Sequence, residues 1–214
     1  MLYYKNMLRY QLINFLIKEN KYKKYLEIGV HKGENIKEIK CELIDSIDPY
    51  ISNDIQKSEE YPVKFRMTSD EFFENIATTL NYKYDIIFID GLHITEQVDK
   101  DINNSLKYLN ENGTIILHDC NPIYYNSQIV PRIYDYWNGD VWKSIVKIRN
   151  RSDLDVFVID SDTGLGVIRK NGNKPSNSKN SEILDWEYFD KNRKTLLNLI
   201  SETDFLLKYL KNKL

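Results

Sequence analysis

The segment that most constrains the fold of this chain is the apolar run over residues 25–30, which leads directly into a turn punctuated by glycines. Its pattern is Glu27-x-Gly29-x-x-x-Gly33, followed by a polar segment of helical composition. In nucleotide-binding α/β folds, such a turn lies where the backbone must approach a ligand closely, and only glycine leaves the room. The pattern therefore predicts a Rossmann-like domain in which Glu27, Gly29 and Gly33 contribute to a cofactor site.

The spacing of the glycines separates two kinds of cofactor. A dinucleotide enzyme shows G-x-G-x-x-G, in which the second glycine makes room for a pyrophosphate. This chain has Val30 and His31 where those glycines would lie close together. The acid-x-Gly-x-x-x-Gly form resembles motif I of the class I S-adenosylmethionine-dependent methyltransferases, whose cofactor has no pyrophosphate. An ordinary strand-to-helix turn is the alternative interpretation.

Composition predicts a single cytoplasmic domain. A chain of 214 residues is long enough to bury a core, and its 30 basic and 32 acidic residues indicate no binding to nucleic acid or anionic lipid. No apolar run approaches the roughly 18 residues needed to span a membrane, and the first 20 residues do not have the pattern of a signal peptide. The two cysteines, Cys41 and Cys120, suggest no disulfide framework.

Strand and helix patterns alternate along the chain. Apolar residues at helical spacing predict helices over 6–19, 69–80, 94–110 and 191–212, the last packing through Leu196, Leu197, Ile200, Leu207 and Leu210. Short apolar runs predict strands over 25–30, 43–50, 63–67, 84–91 and 113–120, with a hairpin over 154–160 and 164–170. This order favours right-handed βαβ units and a parallel sheet.

The predicted fold class is therefore α/β: a mostly parallel seven-stranded sheet with helices on both faces and an antiparallel terminal hairpin. We expect one domain over 1–214, with an N-terminal helix in 1–22, a core in 23–170, and a polar loop and C-terminal helix in 171–214.

Polar residues follow the predicted parallel strands. Ligands of open α/β sheets bind beyond the carboxyl ends of the strands, so these residues are expected to meet at one edge. Asp48 follows the second strand, where its carboxylate can accept both ribose hydroxyls, although it can also simply end the strand before a proline. Ser69 and Asp70 either contact the adenine or only cap a helix. The fourth and fifth strands deliver the remaining candidates, which are Asp90, His93, His118, Asp119, Cys120 and Asn121.

The segments IDGLH and LHDCNP make the resemblance more specific. The sequence IDGLHITEQVDKDINNSLKYLNENGTIILHDCNP, with WNGDVWKSIVKIR and DTGLGV further along, resembles a Methyltransferase-24-like group of bacterial sugar O-methyltransferases found with polysaccharide biosynthesis enzymes. The resemblance covers roughly residues 24–170. It implies the class I methyltransferase fold, S-adenosylmethionine as cofactor and a small-molecule or glycan acceptor. The implied cofactor-binding residues are Glu27, Gly29, Gly33, Asp48, Ser69, Asp70 and Asp90.

The resemblance also implies a metal alternative. Relatives in this wider set often bind Mg²⁺ through acids at the ends of the fourth and fifth strands, which here are Asp90 and Asp119. The resemblance does not supply a third metal ligand. Some related enzymes have an asparagine directly after the acid of the fifth strand, where this chain has Cys120, and others have an acid directly before it, where this chain has His118. Histidine and cysteine are poor ligands for Mg²⁺. Dependence on Mg²⁺ is therefore left open.

The histidines favour a mechanism with a general base. Methyl transfer to a hydroxyl needs the hydroxyl held near the methyl group and its proton removed as the new bond forms. Imidazole titrates close to neutral pH, so either His93 or His118 can serve, with Asp90 or Asp119 orienting it. His31 is expected to contact backbone or solvent.

The aromatic residues that follow the fifth strand lie where acceptors bind in this fold, although most of them can equally pack the sheet or a subunit contact. They are Tyr124, Tyr125, Tyr134, Tyr136, Trp137 and Trp142. Two rival functions stay open. One is an NAD-dependent Rossmann reductase or epimerase, and the other is a catalytically silent scaffold subunit that binds the cofactor. Assembly into a homo-oligomer is a further expectation.

Overall fold

The computed structural model describes residues 7–50, 63–170 and 185–211, and within them seven strands form one sheet. In chain order the strands are β1 (Lys24–Ile28), β2 (Leu43–Ile47), β3 (Tyr84–Ile89), β4 (Leu109–Leu117), β5 (Asp155–Ile159), β6 (Leu165–Arg169) and β7 (Leu199–Ile200). The order across the sheet is β2-β1-β3-β4-β6-β5-β7. Strands β2, β1, β3 and β4 pair in parallel, whereas β6 pairs antiparallel with both β4 and β5. The predicted fold class is confirmed.

Within the same described residues, six helices accompany the sheet: α1 (Arg9–Asn20), α2 (Ser69–Glu71), α3 (Thr95–Tyr108), α4 (Val141–Ile148), α5 (Trp186–Leu196) and α6 (Glu202–Lys211). Helix α2 continues as a π-helical turn (Phe72–Ile76) and a 3₁₀ turn (Ala77–Thr79). Its start is capped reciprocally, since Glu71 N donates to the Thr68 hydroxyl and Thr68 N donates to the Glu71 carboxylate. No helix in these three ranges is both long enough and apolar enough to cross a membrane.

The sheet is covered on both faces. Successive side chains of a strand point to opposite faces, so alternate residues of β3 join two different apolar clusters. Phe88 packs in one cluster with residues of α1 and α6, among them Leu16 and Phe205. Ile87 belongs to the other cluster, which contains residues of α3, α4 and α5, including Trp142. This arrangement explains the near-continuous apolar run that the sequence shows at β3.

Two predicted elements were wrong. Residues 63–67 do not form a strand, and Phe65 makes only an isolated bridge with Ile47. The seventh strand is instead β7, which interrupts the helix predicted over 191–212. Asn198 has a φ of +48°, which ends α5, and the two residues after it pair in parallel with β5. The sequence therefore predicted one helix where two helices flank a short strand, because a strand of two residues leaves little periodic signal.

The apolar face of the last helix also differs from the expected one. Leu196 and Leu197 are buried as predicted, but Ile200 lies in β7 and Leu207 is 50% exposed. Phe205 and Tyr209 of α6 pack against the sheet instead. The polar loop predicted over 171–181 and the side chain of Leu210 lie outside the described residues.

Candidate active site

A cavity of about 440 Å³ opens at the carboxyl ends of β1, β2 and β3. Its volume lies within the range of roughly 300–1,000 Å³ that is typical of small-molecule sites. Parallel strands bring residues distant in sequence to this edge, as the sequence predicts. The predicted cofactor-binding residues that line the cavity are Gly29, Asp48, Ser69, Asp70 and Asp90. Glu27 and Gly33 are not among its described lining residues.

Gly29 lies where two backbone segments meet. Its φ is +88°, and a Cβ placed on it would lie 2.2 Å from the carbonyl oxygen of Asp90. Asp90 N donates to Ile28 O, and Gly29 N donates to Ile47 O, so this approach is fixed by hydrogen bonds between strand ends. Any side chain at Gly29 would separate the floor of the cavity from the glycine turn. Gly33 has a φ of +71° and closes that turn by donating to Val30 O.

The carboxylate of Asp48 holds the glycine turn in place. Its Oδ2 accepts hydrogen bonds from Val30 N and His31 N, both at 2.8 Å, and its Oδ1 accepts one from Tyr50 N at 2.8 Å. Each carboxylate oxygen can accept more than one hydrogen bond, so these contacts leave acceptor capacity toward the cavity. The ribose contact of Asp48 stays a prediction, and the structure adds that Asp48 orders the turn. His31 adopts a left-handed φ of +48° and lines the cavity.

Glu27 lies beneath this turn and is only 1% exposed. It accepts hydrogen bonds from Tyr25 Oη at 2.5 Å and from Asn35 Nδ2 at 3.0 Å. Burial raises the pKa of Glu27 to about 8, because the charged form is poorly solvated there. Its described contacts are therefore within the domain, and a direct contact with the cofactor stays a prediction.

Helix α3 contributes two lining residues that the sequence analysis missed, Gln97 and Asp101. Gln97 Nε2 donates to Ser69 Oγ at 3.2 Å, to Asp70 Oδ1 at 3.0 Å and to Asp101 Oδ1 at 3.2 Å, linking α3 to α2. Burial raises the pKa of Asp101 to about 6. Gln97 and Asp101 are four residues apart on the helix that follows Asp90, so they lie on the same face of that helix. This spacing could have identified them from the sequence.

The cavity is acidic. Four aspartates line it, whereas none of its described lining residues is a lysine or an arginine. Such a wall disfavours the two phosphates of a dinucleotide and favours a cationic ligand. The four are Asp48, Asp70, Asp90 and Asp101.

The four predicted catalytic residues come together next to this cavity. His118 Nδ1 lies 3.1 Å from Asp90 Oδ1 and 3.3 Å from Asp119 Oδ2. His93 Nε2 lies 3.2 Å from Asp90 Oδ1, and its Nδ1 lies 3.2 Å from Asp119 Oδ2. Each imidazole is thus placed between the same two carboxylates. We call these four residues the catalytic cluster.

The two histidines differ in their surroundings. The His93 side chain is 19% exposed, and its ring stacks on Trp137 with centroids 5.4 Å apart. Although it lies close to Asp119, His93 Nδ1 is buried with no hydrogen-bond partner in the described part of the chain. Burial lowers the pKa of His93, but the hydrogen bond and charge of Asp90 outweigh it and raise the pKa. The ring is therefore held in place, and each of its nitrogens lies near a carboxylate.

Both nitrogens of His118, by contrast, have close partners. Beyond its contacts with the cluster, His118 Nε2 lies 2.6 Å from Arg9 Nη1 and 3.2 Å from Thr163 Oγ1. Asp162 Oδ1 lies 3.5 Å from the same nitrogen. Arg9, Asp162 and Thr163 were all missed by the sequence analysis, because they come from α1 and from the β5–β6 turn rather than from a parallel strand end.

Asp119 is fixed by two donors. Thr163 Oγ1 donates to Asp119 Oδ1 at 2.7 Å, and Asn138 Nδ2 donates to the same oxygen at 2.6 Å. Three residues of this region have left-handed φ values without being glycine: Asp119 (+60°), Asp162 (+45°) and Thr163 (+63°). Such backbone conformations are enriched at functional sites, although Lys21 and Asn198, which follow helices, share them.

The two predicted magnesium ligands, Asp90 and Asp119, lie together with His93, and dependence on Mg²⁺ stays a prediction. Asp90, His93 and Asp119 offer ligand atoms that lie within 4.8 Å of one another. Two carboxylates with an imidazole suit a transition metal such as Mn²⁺ or Zn²⁺ better than Mg²⁺, which prefers oxygen ligands. Cys120 is fully buried, and its thiol points to the carbonyl oxygens of Leu117 and His118.

The part of the chain that contains β1 to β4 is similar to known sequences. Residues 26–120 match the family model of a methyltransferase domain. An uncharacterized protein of Acanthamoeba polyphaga mimivirus is 30% identical over 125 residues, which cover 51% of this chain and 57% of the relative. The chain therefore spans little more than half the length of this curated relative.

Solved structures of methyltransferases share the fold. PaMTH1 of Podospora anserina, bound to SAH, has a TM-score of 0.54 at 20% identity, over 76% of this chain and 77% of its own. TomG of Streptomyces achromogenes, an O-methyltransferase of tomaymycin synthesis in complex with SAM, has a TM-score of 0.56 at 13% identity, over 77% and 80%. An O-methyltransferase of Bacillus cereus with SAH has a TM-score of 0.56 at 14% identity, over 76% and 80%. These comparisons confirm the predicted class I methyltransferase fold.

Proposed function

We propose that this chain is an S-adenosylmethionine-dependent O-methyltransferase that acts on a hydroxyl group of a sugar, in a glycan, a nucleotide-sugar or a polysaccharide precursor. The observation that carries the proposal is the juxtaposition of an acidic cavity at the glycine turn with a histidine held between two aspartates. The first feature suits a cationic nucleoside cofactor, and the second suits removal of a hydroxyl proton.

The cavity fits the parts of S-adenosylmethionine. In this assignment Asp48 binds the ribose, Ser69 and Asp70 lie at the adenine end, and Gly29 and Asp90 lie at the methionine end. Gly29 makes room for the cofactor because its missing Cβ lets the turn close onto Asp90. The four aspartates lie around a ligand that carries a sulfonium and an ammonium group. The rival NAD-dependent reductase is disfavoured by the same aspartates, which would repel a pyrophosphate.

When bound, S-adenosylmethionine supplies an electrophilic methyl group, and the chain's own residues position the acceptor and take its proton. We assign His93 as the general base, since its ring is partly exposed and lies between the carboxylates of Asp90 and Asp119. After it takes the proton, both N–H groups of the imidazolium face a carboxylate at 3.2 Å, one of Asp90 and one of Asp119. Those charges stabilise the protonated ring, as a general base requires.

A sugar acceptor is supported by the resemblance of the segments around Asp90 and His118 and by exposed aromatic rings in the segment between β4 and α4, which includes Trp137. Trp137 stacks on His93, and the ring of Tyr136, its neighbour in sequence, lies 6.4 Å from that of Tyr124. Tyr124, Tyr125, Tyr134 and Tyr136 are each about half exposed or more. Aromatic faces with a polar edge suit the apolar faces of a sugar ring. Trp142 is fully buried against Phe189, so it belongs to the core.

No step of this mechanism passes through Mg²⁺, because the imidazole in the candidate ligand set does not suit that ion. Three further expectations stay part of the proposal. Composition favours a cytoplasmic enzyme without a nucleic-acid partner, the resemblance implies a small-molecule or glycan acceptor, and assembly into a homo-oligomer is an open expectation.

The first test is a thermal-shift titration with S-adenosylhomocysteine, S-adenosylmethionine and NAD⁺. At about 100 times Kd a ligand adds about 2.7 kcal/mol of stability, which for a domain of this size raises Tm by roughly 5–10 °C. We expect the shift with the two adenosyl ligands and none with NAD⁺. A shift with NAD⁺ alone would replace the proposal with the reductase.

Turnover is then measured as release of S-adenosylhomocysteine with a panel of nucleotide sugars and glycans. Release that depends on a sugar supports the acceptor class. Cofactor binding without turnover on any hydroxyl acceptor, in the wild type and in all cluster variants alike, would favour the scaffold subunit.

A further inference from the structure

We propose that Arg132, in the segment between β4 and α4, forms a binding subsite for an anionic group of the acceptor. The acceptor class is then an acidic sugar, which carries a phosphate or a carboxylate in addition to the hydroxyl that is methylated. The subsite deepens the proposed function and rests on it for the identity of the reaction, whereas binding of the anion is testable without it.

The guanidinium of Arg132 is held in one orientation by its own loop. Its Nε donates to Tyr134 O at 3.0 Å, and its Nη2 donates to Asp135 O at 2.8 Å. Both contacts use the same edge of the planar group, and both acceptors are main-chain oxygens. A side chain that is already ordered loses little further freedom when it binds a ligand.

The opposite end of the guanidinium is available to a ligand. Its Nη1 amino group has no hydrogen-bond partner in the part of the chain that the structure describes. Nη1 and the second hydrogen of Nη2 form a fork whose geometry matches two oxygens of a carboxylate or a phosphate. Because Arg132 is an exposed residue, a ligand can reach this fork from solvent.

The charge of Arg132 is not paired within the protein. Arg9, Arg151 and Arg193 each form an ion pair with an aspartate. Arg132 forms no ion pair with any carboxylate of residues 7–50, 63–170 or 185–211, and Asp135 contributes only its main-chain oxygen. An unpaired and preorganised cation attracts an anionic ligand.

The indole of Trp137 relates this cation to the proposed base. Arg132 Cζ lies 5.9 Å from the centroid of the Trp137 ring, and the His93 ring stacks on the same indole at 5.4 Å. A guanidinium over an aromatic face makes a cation–π contact, which fixes Arg132 a second time. The cation and the base therefore contact one ring system, a separation that a sugar ring with an anionic substituent can span.

The rest of the site repels an anion. Aspartates line the cofactor cavity, and the carboxylates of Asp90 and Asp119 flank His93. Between positions 122 and 142 the sequence contains no lysine and no arginine other than Arg132. An acidic acceptor should thus bind with its anion at Arg132 and its hydroxyl toward His93, since charge complementarity orients a ligand.

The test is binding of three sugars to the wild type, with and without S-adenosylhomocysteine, measured by ligand-observed NMR. The probes are glucose 1-phosphate, glucuronic acid and the neutral methyl glucoside. A hydrogen bond to a charged group contributes about tenfold or more in affinity, so we expect an anionic probe to bind about tenfold tighter than the neutral one. A preference for the phosphate would indicate a phosphorylated or nucleotide-linked acceptor, and a preference for the carboxylate would indicate a uronic acid. Absence of any preference for an anion would overturn the subsite.

The variant Arg132→Gln should lose the preference for the anion and keep the affinity for methyl glucoside. Its Kd for S-adenosylhomocysteine should not change, because Arg132 is not among the described residues that line the cofactor cavity. Arg132→Lys keeps the charge without the fork, so it should retain part of the preference.

Arg151→Gln is the matched control and should match the wild type. Arg151 lies between the end of α4 and the start of β5. Because β6 is antiparallel to both β4 and β5, the start of β5 lies at the opposite edge of the sheet from the end of β4.

Two results with the variants would refute the assignment. One is a preference for the anion that survives in Arg132→Gln. The other is an equal loss of affinity for all three probes, which would show that Arg132 only shapes its loop. If Arg132→Gln does not fold, Arg132→Lys carries the test, and an undiminished preference in that variant would refute the fork.

Failure of the subsite and failure of the proposed function are distinguishable. A protein that binds S-adenosylhomocysteine and methylates a neutral sugar, but does not prefer the anionic probes, would overturn the subsite alone. A protein that prefers an anionic probe, but neither binds S-adenosylhomocysteine nor transfers a methyl group, would overturn the proposed function alone.

Discussion

The imidazole of His93 lies nearly parallel to the indole of Trp137, with ring centroids 5.4 Å apart and planes inclined by 15°. Trp137 is itself fixed, since its Nε1 donates to Ile129 O at 2.6 Å. The stack therefore sets the plane in which His93 reaches Asp90 and Asp119. Replacing Trp137 with alanine should lower kcat about tenfold, because stacking contributes about 0.5–1.5 kcal/mol and also orients the base. Steady-state kinetics should show Trp137→Phe close to the wild type, and equal losses in both variants would argue against an orienting role.

The assignment of the base predicts unequal effects at the two histidines. His93→Gln should lower kcat by about 10²–10⁴-fold, the usual contribution of general base catalysis, with the Kd for S-adenosylhomocysteine unchanged. His118→Asn retains a donor toward the carboxylates and should lose less. Calorimetric titration of the two variants measures the Kd for S-adenosylhomocysteine, and turnover assays measure kcat. Full activity in His93→Gln together with an inactive His118→Asn would reverse the assignment.

The glycine turn predicts a sharp contrast between two neighbouring glycines of the cavity. Gly29→Ala should abolish cofactor binding and destabilise the protein by several kcal/mol, since its Cβ would lie 2.2 Å from a carbonyl oxygen at a φ of +88°. Gly91→Ala is the control, because a Cβ there would meet the Ile28 side chain at an ordinary 3.6 Å. Chemical denaturation with and without S-adenosylhomocysteine measures both effects. Equal behaviour of the two variants would contradict the role given to Gly29.

Buried Glu27 should make stability depend on pH. The folded protein keeps the Glu27 proton up to about pH 8, whereas the unfolded chain releases it near the ordinary value of 4.5. Between these values the folded state binds more protons, so the free energy of unfolding falls as pH rises, by up to about 4–5 kcal/mol from this group. The contribution is complete below pH 4.5 and lost above about pH 8.

Glu27→Gln cannot ionise, and its amide oxygen can still accept from Tyr25 and Asn35. Denaturation curves of both proteins between pH 5 and pH 8.5 should therefore show a smaller slope for the variant. The comparison with the variant is needed because Asp101 and His93, whose pKa values are also raised, add slopes of the same sign. Parallel curves would mean that Glu27 ionises normally.

The ligand set around Asp90 and Asp119 predicts that Mg²⁺ is dispensable. Turnover and Kd for S-adenosylhomocysteine should be the same after treatment with EDTA as with added Mg²⁺, because the third donor in the group is the imidazole of His93. Restoration by Mn²⁺ or Zn²⁺ of an activity lost in EDTA would make His93 a metal ligand instead of the base. Restoration by Mg²⁺ alone would show that the oxygen ligands suffice.

The sequence predicts the parallel half of the molecule well, and the reason is physical. A residue that follows an apolar strand of a parallel sheet must lie at one edge, so Gly29, Asp48, Asp90 and His118 were found from their positions alone. No comparable rule applies to residues brought in by packing. Arg9 reaches the site because α1 lies against the β5–β6 turn, and neither segment has a pattern that specifies the other.

Local sequence patterns also gave wrong predictions where the pairing of strands within the sheet determines the structure. The run over 63–67 has strand-like residues, but only Phe65 bridges to β2. The sequence predicts that Leu199 and Ile200 belong to a helix, but they pair with the edge strand β5 instead. Propensity over two to five residues is weaker than such tertiary pairing.

The described residues that line the cofactor cavity lie between positions 28 and 101, whereas the cluster needs residues 118 and 119, the turn at 161–163, and Glu202 to hold the start of α1. Chains emerge from the ribosome with their N-terminal part first. The residues proposed to hold the cofactor are therefore synthesised well before most of the residues proposed to act on it. Arg9 is likewise synthesised well before the helix whose Glu202 accepts a hydrogen bond from Met7 at the start of α1.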